Sequence, residues 1–437
     1  MTAEIAIINR NAVTLATDSA VTLTVRGAEK VYNSADKLFE LSTVDPMGIM
    51  SYNNLEFMSV SLEVVIKQFR DTIASRGHFE SISQAADAFF KYLESEVGAD
   101  EALQKQHARA MFTSLVRGVY REFAGAVEET FKKDGNKTDF SGILSRVIQH
   151  NIDRLLALNA CKCFGDNSEV AEADITKFYG GVIDDVVKAV FGELPLTDNH
   201  KSALRRFCVL NLAREQYSPN FTGVVFAGFG EHELFPAVVA YHMDGIVANK
   251  LKRRETDKVS TDRSKVTGEI LPFAQREMVD RFLYGVDPEF EKGIEEFLGT
   301  VISASGEMIA ATVPRATKAT KAKLSAGVKT ATDIGLKQWR ENMVPRVKKK
   351  FMQEVQDMIF LMPKQELAIL AQELINLTSV KRKFSSGKET VGGPIDVAVI
   401  SRIDGFVWVQ RKHYFTPELN PRYFVRKFGS LGERRAV

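Results

Sequence analysis

Thr2, Asp18, Ser19 and Lys30 are residue types that together can cleave an amide. A threonine hydroxyl is a weak nucleophile until a base takes its proton, and the α-amine of the same residue can be that base when threonine begins the chain. An α-amine titrates near about 8, close enough to neutrality to work. A neighbouring lysine ammonium favours the neutral amine by like-charge repulsion, and an aspartate can anchor that lysine. Met1 precedes a small residue, the context in which methionine aminopeptidase removes the initiator, so the mature chain is expected to begin at Thr2. Asp18 draws notice because TLATDSAVTL alternates like a half-buried strand, where an acid needs a partner. Its expected role is counter-ion to Lys30, with Ser19 assisting by hydrogen bonding.

These residues need strands to hold them. A three-residue loop centred on Arg10 pairs Ile8 with Ala12 and, continued, sets Thr2 opposite Asp18. One residue more or less in the loop moves the partner to Ser19. A turn at residues 25–27 then returns Lys30 beside the Asp18 strand. Runs rich in Val, Ile, Thr and Tyr fill the first fifty residues, as an antiparallel meander requires.

From Leu55 the spacing turns helical, with Met58, Leu62, Val65 and Phe69 three or four residues apart, and helical periodicity continues to about Tyr217. FTGVVFAGFGEHELFPAVVAYHMDGIV reads as a hairpin turning near Glu231 and His232. Helices resume at PFAQREMVDRFLYGV and after Asp287-Pro288, and PKQELAILAQELINLTSV is a further amphipathic helix. PIDVAVISR and GFVWVQRKHYF close the chain as two strands turning at Ile403-Asp404-Gly405. Strands this widely separated must pair non-locally, so one discontinuous α+β core is expected. Its pieces are 1–79, 216–302 and 362–437, with helical insertions at 80–215 and 303–361.

Of the 437 residues 45% are hydrophobic and 26% charged, ordinary for a soluble globular protein. No apolar run long enough for a membrane span and no secretory signal is evident, so a cytoplasmic location without membrane association is expected. Lys and Arg total 58 against 56 Asp and Glu, a balance that by itself says nothing about nucleic acid, which is not expected as a partner. Residues 303–350 are locally basic, with 11 basic and 3 acidic side chains, and read as a solvated helical face. Cys161, Cys163 and Cys208 are too few for a disulfide framework and lack zinc-site spacing, so they read as reduced. No metal or organic cofactor is implied.

TAEIAIINRNAVTLATDSAVT, then KVYN, then MGIMSYNN running into a helix, resembles the start of proteasome β-subunits and related bacterial N-terminal-nucleophile (Ntn) peptidases. Thr2, Asp18 and Lys30 match that family's nucleophile, its Ala-Asp-Ser-type motif and its Lys-Val. The middle hairpin, the last long helix, the Gly-Gly turn and the closing hairpin resemble the same family. The resemblance implies a four-layer αββα Ntn-hydrolase sandwich and a threonine-type amidohydrolase acting on a peptide or protein substrate. A homo-oligomer and an ATPase partner are left open by it. The glycine that supplies the family's oxyanion N–H is replaced by Tyr52 or Asn53, whose backbone would serve instead. The alternative is a catalytically inactive proteasome-fold scaffold that binds a partner. A nucleic-acid binder working through residues 303–350 would show affinity falling steeply with salt.

Overall fold

A computed structural model describes residues 2–25, 28–75, 77–134, 139–165, 168–260, 268–313, 317–385 and 391–425. Met1 and residues 26 and 27 of the expected turn lie outside them. In chain order the strands are β1 (Ala3–Ile8), β2 (Ala12–Thr17), β3 (Val21–Val25), β4 (Ala28–Tyr32), β5 (Leu38–Glu40), β6 (Met47–Asn53), β7 (Glu56–Phe57), β8 (Val60–Ser61), β9 (Thr222–Gly228), β10 (Ala237–Val247), β11 (Lys250–Ser260), β12 (Glu269–Ala274), β13 (Asp396–Ser401) and β14 (Gly405–Gln410). The helices are α1 (Leu62–Ile73), α2 (Ile82–Glu96), α3 (Glu101–Asp134), α4 (Phe140–Leu156), α5 (Ser168–Phe191), α6 (Asp198–Ala213), α7 (Glu277–Tyr284), α8 (Pro288–Thr312), α9 (Lys318–Gln338), α10 (Val344–Leu361) and α11 (Lys364–Lys383). The chain is α+β, and its sheets are antiparallel. It divides into two compact units, one of Met1–Asp36 with Thr261–Val437 and one of Lys37–Ser260.

In the first unit a sheet of order β12-β1-β2-β13-β14 brings both ends of the chain together. Ala3, Ile5, Ile7, Ala12, Ala16, Val397 and Val399 face Leu367, Ala368, Ala371, Leu374 and Ile375 of α11, which recur at helical spacing. Asn9 sets the hairpin: its Oδ1 accepts from Asn11 N at 2.9 Å and Ala12 N at 3.2 Å, while its Nδ2 donates to Ile359 O and Met362 O. That closes the turn around Arg10 and Asn11 alone, so Ile8 pairs with Val13 and Glu4 with Thr17. The expected three-residue loop is therefore one residue too long.

β12 was read as the start of a helix. Pro272 within it is tolerated because β12 is an edge strand, paired to β1 only. On the basic arm, Lys348 meets Glu291 of α8 at 2.7 Å and Arg340 pairs with Glu295, so part of the charge expected on a solvated face is neutralised internally.

The second unit has a sheet of order β11-β10-β9-β6-β5 covered on one face by α1 and α2. Phe89 meets Phe69 and Phe226 edge to face, at centroid distances of 5.2 and 5.6 Å. The helix expected from Leu55 begins only at Leu62, because Met58 and Ser59 take positive φ in the tight turn joining β7 to β8. β11, KLKRRETDKVS, is too charged for alternation to reveal; as an edge strand it leaves those charges exposed or half-exposed, except for Lys252, which is buried. α3 to α6 build a separate apolar cluster around Phe112, Tyr179, Leu204 and Leu210.

Candidate functional site

The corrected register decides what sits beside the chain start. With Glu4 opposite Thr17, the residue across from Asp18 is Ala3, and Asp18 N donates to Ala3 O at 3.1 Å. The Asp18 carboxylate, 1% exposed, accepts from Ala3 N at 3.1 Å through Oδ1, and from Gly392 N at 2.9 Å and Ala20 N at 3.3 Å through Oδ2. Three backbone donors thus compensate a buried acid. Ser19 locks the same corner: its N donates to Gly392 O, its Oγ to Pro394 O at 2.5 Å, and its O accepts from Ala35 N at 3.0 Å. Gly393 takes φ +79°, and a Cβ there would lie 2.8 Å from Asn33 Cβ, so the Gly-Gly turn is what lets this segment close in.

Thr2 is 2% exposed, and its Oγ1 donates to Glu4 Oε2 at 3.0 Å. Glu4 is itself buried, an acid inside the otherwise apolar run AEIAII. That misplaced charge was the readable signal for a residue the sequence reading passed over. The register, continued, sets Asp18 across from Ala3 and Ser19, not Asp18, across from Thr2.

Lys30 is not brought to them. β3 and β4 pair with each other as a separate two-stranded ribbon, with Lys30 opposite Leu23, rather than adding to the sheet beside β2. Lys30 is exposed, its Nζ over the Tyr32 ring at 4.8 Å, and among the described residues no ion pair joins it to Asp18. The buried lysine in this stretch is Lys37, fully out of solvent at the head of KLFEL. A charged ammonium there requires compensation. Lys37 follows Ala35, the donor to Ser19 O, by two residues.

Tyr52 and Asn53 belong to the second unit. The Tyr52 ring lies across Gly223, where a Cβ would sit 2.3 Å from Cζ. Asn53, at φ +65°, donates through Nδ2 to Pro219 O at 3.0 Å and Phe221 O at 2.7 Å, so its side chain fixes the turn before β9. Phe221 stacks on His242 at 3.8 Å. Burial, reinforced by Arg254, pushes His242 down to about 4. Its folded value lies below the unfolded value of about 6.5, so between the two the unfolded chain takes a proton that the fold refuses. Stability therefore falls as pH drops from about 6.5 towards 4. After discounting for partial exposure the loss is about 1–2 kcal/mol. His242→Phe is expected to remove that part of the acid sensitivity in urea titrations at pH 4.5 and 7; an unchanged pH dependence would refute the assignment.

A cavity of about 430 Å³ in the second unit is lined by Met58, His107, Tyr217, Ser218, Asp244 and Gly245, among others. Behind it Lys252, fully buried, donates to Asn211 O at 2.9 Å and Gln216 O at 2.5 Å and lies 3.7 Å from Asp244. Burial lowers the Lys252 pKa and raises that of Asp244, and each charge opposes the other's shift. The Glu231–Glu233 loop is structural: Glu233 accepts from Gly230 N at 2.8 Å and Ile82 N at 3.1 Å. Among the described residues no cluster of three His, Cys, Asp or Glu could hold a metal ion, and no helix is long and apolar enough to cross a membrane.

No protein-family model matches the chain. No curated protein matches it either.

Proposed function

We propose that the chain is a threonine-type N-terminal-nucleophile amidohydrolase, a proteasome-like peptidase on a four-layer αββα core. The observation that carries this reading is the hydrogen bond from Ala3 N to the buried Asp18 carboxylate, which fastens the peptide group directly after Thr2 to the Asp-Ser corner. Once the bond before Thr2 is cut, the Thr2 hydroxyl attacks a scissile carbonyl and its proton passes to the free α-amine. The tetrahedral adduct collapses, the leaving amine takes that proton, and water then hydrolyses the Thr2 ester. Glu4, holding Oγ1 at 3.0 Å, orients the hydroxyl.

Lys30, exposed on its ribbon with its ammonium over the Tyr32 ring, carries no part of this reading. Lys30→Ala is expected to leave peptide hydrolysis within about two-fold of the parent, because it removes an exposed side chain. Steady-state assays on a fluorogenic peptide check this, and a loss of about ten-fold or more would put Lys30 back into the mechanism.

The burial of Thr2 favours a second reading, a catalytically inactive scaffold that binds a partner. Intact mass with an electrophile separates the two: a labelled Thr2 excludes the scaffold, and a chain beginning at Thr2 that takes no label supports it.

A further inference from the structure

Cys161 and Cys163 flank Lys162 in a short 3₁₀ turn that packs on β11 of the second unit. Their sulfurs lie 2.6 Å apart, inside van der Waals separation and near the disulfide bond length of about 2.05 Å. Cys161 is buried, its N bonded to Ala213 O at 2.9 Å and its Sγ 3.9 Å from Tyr217 Oη, whereas Cys163 is partly exposed. The Tyr217 ring in turn carries the Lys252 ammonium at 5.2 Å and the Arg254 guanidinium at 4.7 Å. Two thiols in contact beside buried positive charge are arranged to share one proton and hold one negative charge. The hydrogen bond from Cys163, helped by Lys252, pulls Cys161 down to about 6, and the same bond pushes Cys163 up.

We propose that Cys161 and Cys163 are a redox-active dithiol that hydrogen peroxide oxidises to an intramolecular disulfide. The shared proton moves to Cys161 as the partly exposed Cys163 sulfur attacks one peroxide oxygen; the O–O bond breaks and hydroxide leaves. Cys163 is then a sulfenic acid. Cys161 attacks its sulfur, the S–S bond forms, and the departing hydroxide takes the Cys161 proton as water. Both sulfurs are oxidised by one electron each and the peroxide is reduced by two. A thiol reductant reverses the change by exchange at the partly exposed Cys163.

The test is to expose the full chain to a few equivalents of hydrogen peroxide, alkylate it unfolded, and map it by peptide mass. The peptide bearing Cys161 and Cys163 should lose two hydrogens and escape alkylation, while Cys208, fully buried in the helical cluster, is alkylated as before. Dithiothreitol should restore both thiols. Cys161→Ser should leave a sulfenic acid on Cys163 that dimedone traps, and Cys163→Ser should oxidise at least about ten-fold more slowly because the remaining thiol is buried. Full alkylation of both cysteines after peroxide, a disulfide joining two chains, or a Cys163→Ser variant that oxidises at the parent rate would each overturn the proposal.

Discussion

Thr2→Ala should abolish peptide hydrolysis, a loss of about a thousand-fold or more, while leaving the fold intact. The hydroxyl is the only atom removed that reacts. It donates one hydrogen bond, 3.0 Å to Glu4, so the structural cost is that of a single hydrogen bond, about 1 kcal/mol. Activity and stability therefore separate cleanly. Thr2→Ser, which keeps the hydroxyl, should retain measurable turnover, and Glu4→Gln, which keeps an acceptor, should fall between the two. Steady-state kinetics beside urea unfolding decide it. A Thr2→Ala chain that hydrolyses at the parent rate would remove threonine from the mechanism.

Asp18→Ala should have the largest effect on stability. It leaves the backbone N–H groups of Ala3, Ala20 and Gly392 without their acceptor. An unsatisfied buried donor costs about 1–3 kcal/mol, and the longer Ala20 bond contributes least, so roughly 3–5 kcal/mol is expected. Because Gly392 and the Ser19 contacts to Gly392 and Pro394 tie the chain start to the closing hairpin, the loss should appear as loosening of β1 and β13 together. Hydrogen exchange at those two strands, with urea titration, measures it. An unchanged midpoint with full protection of β13 would show that the carboxylate does not hold the corner.

Much of the first unit could be read from the sequence, since AEIAII and AVTLAT are apolar runs bounded by turn residues, and the closing hairpin carries its own turn signal at Asp404-Gly405. The register could not. It depends on whether the Asn9 side chain caps the turn, a local hydrogen-bond choice that alternation does not encode. The place of Lys30 could not be read for a related reason. Lys30 and Lys37 both precede apolar residues, and only the pairing of β3 with β4 removes Lys30 to an exposed ribbon while Lys37 is buried. β11 escaped notice because an edge strand can be charged at nearly every position. Glu4 was legible in principle: a buried acid in an apolar strand is costly enough to demand a role.

The most direct measurement is the intact mass of the purified chain before and after a peptide epoxyketone, whose ring closure needs both a hydroxyl and a free α-amine on one residue. The account predicts a chain beginning at Thr2 that gains one adduct, mapped to Thr2 and lost in Thr2→Ala. A chain that keeps Met1, or one that begins at Thr2 and takes no adduct, contradicts it.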